Sequence, residues 1–211
     1  KEPTMASERT GKIQTVLGLI EPDQLGITST HEHFLIDLLC TYYSQPEEAS
    51  ERWYADVPVT MDIIGGLFGR FTSNKDNLRL LDEEAATREI LKYRYAGGNS
   101  IVDATSMGSG RDPLALTRMS RRTGLNVVMG ASHYLPAVYP DDIDSRTEQD
   151  ITDYIIRDIT VGVGETGVKS GIIGEIGNYW PTNENTRKIL RASAHAATET
   201  GAPILIHPGF H

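Results

Sequence analysis

The chain has 211 residues, 39% hydrophobic and 23% charged, which is ample for a globular domain that buries a core without staples. Its single cysteine, Cys40, excludes an intramolecular disulfide framework and fits a reducing, cytoplasmic setting. A net charge of −9 argues against a nucleic-acid partner, and no run reaches the roughly 18–20 apolar residues of a membrane span.

Residues 1–10 read as a flexible N-terminus or an expression remnant; Lys1 to Arg9 are polar and lack the apolar stretch of a secretory signal. Residues 13–17 then alternate as a strand, Asp23 to Gly26 form a turn, and Ile27 to His31 form the next strand. Residues 38–81 are irregular, rich in aromatic residues, Pro and Gly, with one short helix around Ile63 to Phe68. An insertion this long is either a decorated surface loop or a functional lid.

From Asp82 the chain becomes regular. Asp82, Asp112, Thr147 and Thr182 are predicted to cap four helices. Gly97, Gly124 and Gly201 stop three of them. Between the helices lie short apolar strands at 100–104, 126–131, 170–176 and 203–207. Strands buried on both faces and separated by helices pair in parallel, which predicts an α/β fold, either a barrel or a doubly wound sheet. No G-x-G-x-x-G run opens a helix, so a dinucleotide site is not expected.

The chemistry gathers at strand ends. His31 and His33 stand two apart, and in extended chain such residues point to the same side. Glu175 lies within the apolar run Gly171 to Gly177, where an unpaired carboxylate is costly. Metal ligation satisfies it; a salt bridge to Lys169 is the competing reading. His207 ends the last strand. All four positions fall at C-terminal strand ends, the face that carries the active site in βα barrels. Three imidazoles and a carboxylate suit zinc and related divalent metals. His133 follows the third barrel strand and is a pocket-lining candidate, whereas His195, in mid-helix, is structural.

The segments Gly11 to Gly18, Thr30-His31-Glu32-His33, Gly110-Arg111-Asp112, Gly171 to Gly177 and His207 together resemble the phosphotriesterase family of the amidohydrolase superfamily. The resemblance runs from Gly11 to the end of the chain. It implies a TIM-type (β/α)8 barrel with two divalent metal ions, zinc by the family's usage. Under it, His31 and His33 would hold the more buried ion and His207 the more exposed one, with Glu175 bridging them. Better-known members bridge with a carboxylated lysine. Glutamate at this position is typical of the animal branch and weakens any inference of organophosphate hydrolysis.

The animal branch implies attack of a metal-activated hydroxide on the amide carbonyl of a small N-acyl substrate, N-acetyltaurine, giving taurine and acetate. Tyr134 matches a pocket aromatic, and Arg111, Asn178 and Trp180 are further substrate-lining candidates. A lactonase or phosphotriesterase of the same family, and a non-catalytic binding protein, are the alternatives. The expected partner is a small molecule, with no nucleic acid and no membrane; the sequence leaves room for a homo-oligomer. A whole barrel needs about 250 residues. Five strands are countable here, so residues 11–211 read as the N-terminal part of the barrel. The family's sixth-strand histidine and eighth-strand aspartate are expected beyond His211.

Overall fold

A computed structural model describes residues 9–209. The expected flexible extension at 1–10 lies mostly outside them, as does His211. A hairpin opens the fold: β1 (Ile13–Thr15) pairs antiparallel with β2 (Gly18–Ile20), Ile13 opposite Ile20. The strand expected at 13–17 therefore turns back at Val16 and Leu17. The Thr15 hydroxyl stabilises that turn by donating to the Gly18 carbonyl at 2.8 Å.

Five strands form the parallel sheet: β3 (Thr28–Glu32), β6 (Ser100–Asp103), β7 (Asn126–Ala131), β8 (Ile172–Gly177) and β9 (Ile204–His207), in that spatial order. Successive strands are neighbours, the order of an opening barrel rather than of a doubly wound sheet with a switch point. A further antiparallel pair, β4 (Ile36–Asp37) with β5 (Arg79–Leu80), closes the neck of the insertion.

Within that insertion lie two one-turn helices, α1 (Leu39–Tyr42) and α2 (Ile64–Leu67). Buried Asn74 pins the rest: its amide donates to the carbonyls of Tyr54 (2.7 Å) and Val57 (2.9 Å) and accepts from the Asn77 amide. The insertion is thus an ordered loop that satisfies its own backbone.

The four long helices are α3 (Glu83–Tyr95), α4 (Pro113–Thr123), α5 (Glu148–Thr160) and α6 (Glu184–Thr200). Asp82, Asp112 and Thr147 cap the first three through their side chains. The fourth cap is Asn183, not Thr182: its Oδ1 accepts from Thr186 at 2.7 Å, three residues on. Gly124 and Gly201 end α4 and α6 in the left-handed conformation.

One part of the core packs Ile151, Ile155 and Ile159 of α5 against Ile173 and Ile176 of β8 and Ile189 of α6. The other joins Leu116 and Met119 of α4 to Ile101, Val127 and Met129 of the sheet. Leu114 and Ala194 are exposed, because each stands two residues, more than half a turn, from the buried stripe that runs through Leu116 and Ala192. A cavity of about 850 Å³ lies between the insertion and α3 and touches the strand-end face only at Glu32 and His33.

Backbone irregularities fall at the ligand candidates. The β3–β6 register shifts between Ser29 and Glu32, and the β8–β9 register shifts between Ile173 and Ile176. Such bulges re-aim a side chain. Gly174 permits the second one. Its φ is +135°, and a Cβ there would lie 2.3 Å from the Leu205 carbonyl oxygen. Gly174→Ala is expected to destabilise the fold by about 1–3 kcal/mol. Urea unfolding checks this, and an unchanged midpoint would show that the bulge tolerates a side chain.

Candidate metal centre

Glu175 is 2% exposed, and its carboxylate meets three histidines, two at the end of β3 and one at the end of β9. His31 Nε2 lies 3.2 Å from Oε2, His33 Nε2 3.3 Å from Oε1, and His207 Nδ1 3.2 Å from Oε2. No lysine or arginine reaches the carboxylate among the described residues, so the Lys169 reading fails. The bulge in β3 and the bend after it bring the two imidazoles of His31 and His33 edge to face, centroids 5.2 Å apart.

The geometry fits a cation. Glu175 Oε2 is buried and has no hydrogen-bond partner, although two imidazole nitrogens stand 3.2 Å away. Neutral imidazole lone pairs facing a carboxylate repel one another unless a positive charge lies between them. Burial works to raise the pKa of Glu175, but the His207 and His33 rings, which can donate to it when protonated, pull it down to about 2, so the ionised ligand form is the stable one. Ligand atoms of His31, His33 and Glu175 all lie within 4.8 Å of one another, a spacing that can hold an ion; His207 meets the same carboxylate oxygen as His31, Oε2.

The side chains of His31, His33 and His207 are 42%, 23% and 20% exposed. His31 and His207 stand on the two edge strands of the five-stranded sheet, β3 and β9, and His207 packs against aromatic rings.

Those rings come from three places. Tyr134, after β7, is buried with its ring 5.2 Å from that of His207. Its hydroxyl meets the Tyr42 hydroxyl at 3.1 Å, and Tyr42 in turn lies 3.4 Å from His207 Nε2. Tyr179 also hydrogen-bonds Tyr42, and burial is the main cause that pushes its pKa up to about 12. Burial likewise drives the Tyr134 phenol well above its ordinary value, so it stays a neutral donor. Sequence reading missed Tyr42 and Tyr179. Tyr42 sat among unassigned aromatics of the insertion, and nothing local marked α1 as returning to the strand ends.

The other candidates are placed differently. Asn178 clamps β9, its side-chain amide donating to the His207 carbonyl at 2.9 Å. Trp180 is 81% exposed. Arg111 is not offered to a ligand: its guanidinium is buried, 2.9 Å from Asp158, and donates to the Gly130 carbonyl at 3.0 Å. His133 does not line a pocket but is fully buried beside Tyr139 and Tyr154. His195 lies on the surface of α6, 3.2 Å from Glu148, as a structural residue would.

A parallel βα sheet with a histidine–carboxylate cluster spaced to hold a metal ion at its C-terminal strand ends is the arrangement of an opening βα barrel. Residues 11–211 match the model of the phosphotriesterase family, and the chain belongs to that family. It is 42% identical over 204 residues to the N-acetyltaurine hydrolase of Salmo salar and 38% identical over 206 residues to that of Homo sapiens. In both comparisons 96% of this chain is covered, and it spans only 58% of the relative's length.

Among solved structures, a resiniferatoxin-binding protein from Rhodobacter sphaeroides superposes with a TM-score of 0.91 at 37% identity, over 94% of this chain and 55% of that one. A lactonase from Listeria monocytogenes gives 0.71 at 25% identity, over 93% and 56%. The chain therefore supplies the first five strands of a TIM-type barrel. No helix among the described residues is long and apolar enough to cross a membrane.

Proposed function

We propose that this chain carries the metal-binding half of a hydrolase that cleaves the amide of a small N-acyl substrate, with N-acetyltaurine as the favoured one. The observation that supports this most is the buried, unpartnered Oε2 of Glu175 between imidazoles of β3 and β9. The similarity to N-acetyltaurine hydrolases supports the substrate.

In this reading His31 and His33 would hold one divalent cation and His207 a second, with the Glu175 carboxylate shared between them. Zinc is the favoured ion and the cytoplasm the setting. Cations at that position supply a Lewis acid for the acyl oxygen and lower the pKa of water toward neutrality. The chain's own residues do the rest. Glu175, ionised and desolvated, fixes the spacing of the three imidazoles. Tyr42 and Tyr134 present phenol hydroxyls beside His207, suited to donate to an acyl or sulfonate oxygen. Asn178 holds the end of β9 and with it the direction of the His207 ring.

The lactonase similarity favours a second reading, lactone cleavage at the same centre. Parallel turnover assays with the zinc-loaded protein on N-acetyltaurine, an acyl lactone and paraoxon separate them. Turnover of N-acetyltaurine well above the other two is expected; activity on the lactone alone would replace the first reading by the second.

A further inference from the structure

Behind His33 stands a buried polar pair that the centre described so far does not use. Asp103, at the end of β6, is 1% exposed, and Thr105, two residues on, is also 1% exposed. The Thr105 hydroxyl lies 2.9 Å from His33 Nδ1. One Asp103 carboxylate oxygen accepts from the Phe34 backbone amide at 2.8 Å, and the other accepts from the Thr105 amide at 3.1 Å. The carboxylate thus grips the backbone on the residue after His33 and on the residue that touches its ring. An apolar side chain would fill that space without the cost of burying a charge, so the placement calls for a reason.

Proton bookkeeping supplies one. His33 turns Nε2 toward Glu175, 3.3 Å away, and a nitrogen that binds a cation must offer its lone pair. The ring proton then sits on Nδ1 and is donated to Thr105 Oγ1. That leaves the threonine O–H to donate onward. The acceptor in reach is the Leu35 carbonyl at 3.4 Å, while the Asp103 carboxylate holds Thr105 by its backbone amide.

We propose that Thr105 and Asp103 are positioning residues for the His33 cation site: a relay from the imidazole through the Thr105 hydroxyl to the Leu35 carbonyl fixes the ring's tautomer and direction, and Asp103 holds the backbone on both sides of that contact. The inference rests on the metal-centre reading above. Outer partners of this kind raise ligand basicity, and their loss typically weakens metal binding by about 10–100-fold.

The test is cobalt(II) affinity, measured by chelator competition and followed by the visible absorption of the bound ion. Thr105→Val keeps the shape and removes both the acceptor and the donor. It is expected to weaken the site that includes His33 by about 10–100-fold and to change its spectrum. Thr105→Ser, which keeps the hydroxyl, should restore affinity and spectrum. Thermal unfolding of the metal-free proteins should be nearly unchanged, which a purely structural role would not allow. If the valine variant does not fold, Thr105→Ala, which is smaller and introduces no clash, replaces it. Wild-type affinity and spectrum in the folded variant overturn the relay while leaving the metal centre standing. Absence of cobalt uptake by the unmutated protein overturns both.

Discussion

Glu175→Ala is expected to empty the metal centre and to abolish turnover. The side chain is the one carboxylate on which His31, His33 and His207 converge, at 3.2–3.3 Å. Without it, each imidazole faces the others across a space with no anion to hold a cation. Removing a ligand outright should exceed the roughly 100-fold loss of metal affinity that follows from deleting an outer partner. The fold should survive, because the carboxylate makes no hydrogen bond with a positively charged lysine or arginine, and its backbone bonds to Ala104 and Ser106 do not involve the side chain. Metal analysis of the purified variant beside wild type is the check. Near-normal metal content and turnover would refute the bridging role.

A second large effect is expected in acid. His133 is fully buried, and neither ring nitrogen has a hydrogen-bond partner among the described residues. Burial first, then the charges of Arg146 and Arg111, lower its pKa to about 4 against the opposing pull of Asp142. An unfolded chain binds the proton near the model value of 6.5, whereas the folded chain resists it. This contribution to stability is therefore fully present above pH 6.5 and is lost as the pH falls through the window down to about 4. A shift of this size corresponds to about 3 kcal/mol. His133→Phe, similar in volume and without a proton site, should flatten that limb of the stability profile and be the more stable form at pH 4. Urea midpoints across pH 4–8 measure it. Parallel profiles for the two proteins would show that His133 is not the group responsible.

Much of this was legible in the residues, for physical reasons. Apolar runs too short and too continuous for half-exposed strands, alternating with capped stripes, fixed the parallel βα order. Asp82, Asp112 and Thr147 announced their helices because a short acceptor side chain two or three residues before an apolar stripe has few other uses. His31, His33, Glu175 and His207 stood out because each is a polar group at the end of an apolar strand.

What stayed hidden depends on long-range geometry. Tyr42 reaches His207 across 165 positions, and only the closure of the insertion by β4 and β5 brings it there. Arg111 followed a strand as an anion site would, but its partner Asp158 lies on the inner face of α5, a pairing that no local pattern reveals. His133 and Tyr134 are adjacent yet face opposite ways, one into the helix layer and one toward His207, because alternation along extended chain divides neighbours between two faces.

Anomalous diffraction at the zinc edge from crystals of the metal-loaded protein tests whether Glu175 bridges two cations between β3 and β9. Two peaks flanking the Glu175 carboxylate are expected, about 3.5–4 Å apart, one on His31 and His33 and the other on His207. A single peak away from Glu175, or no peak among these four side chains, would contradict the bridging role.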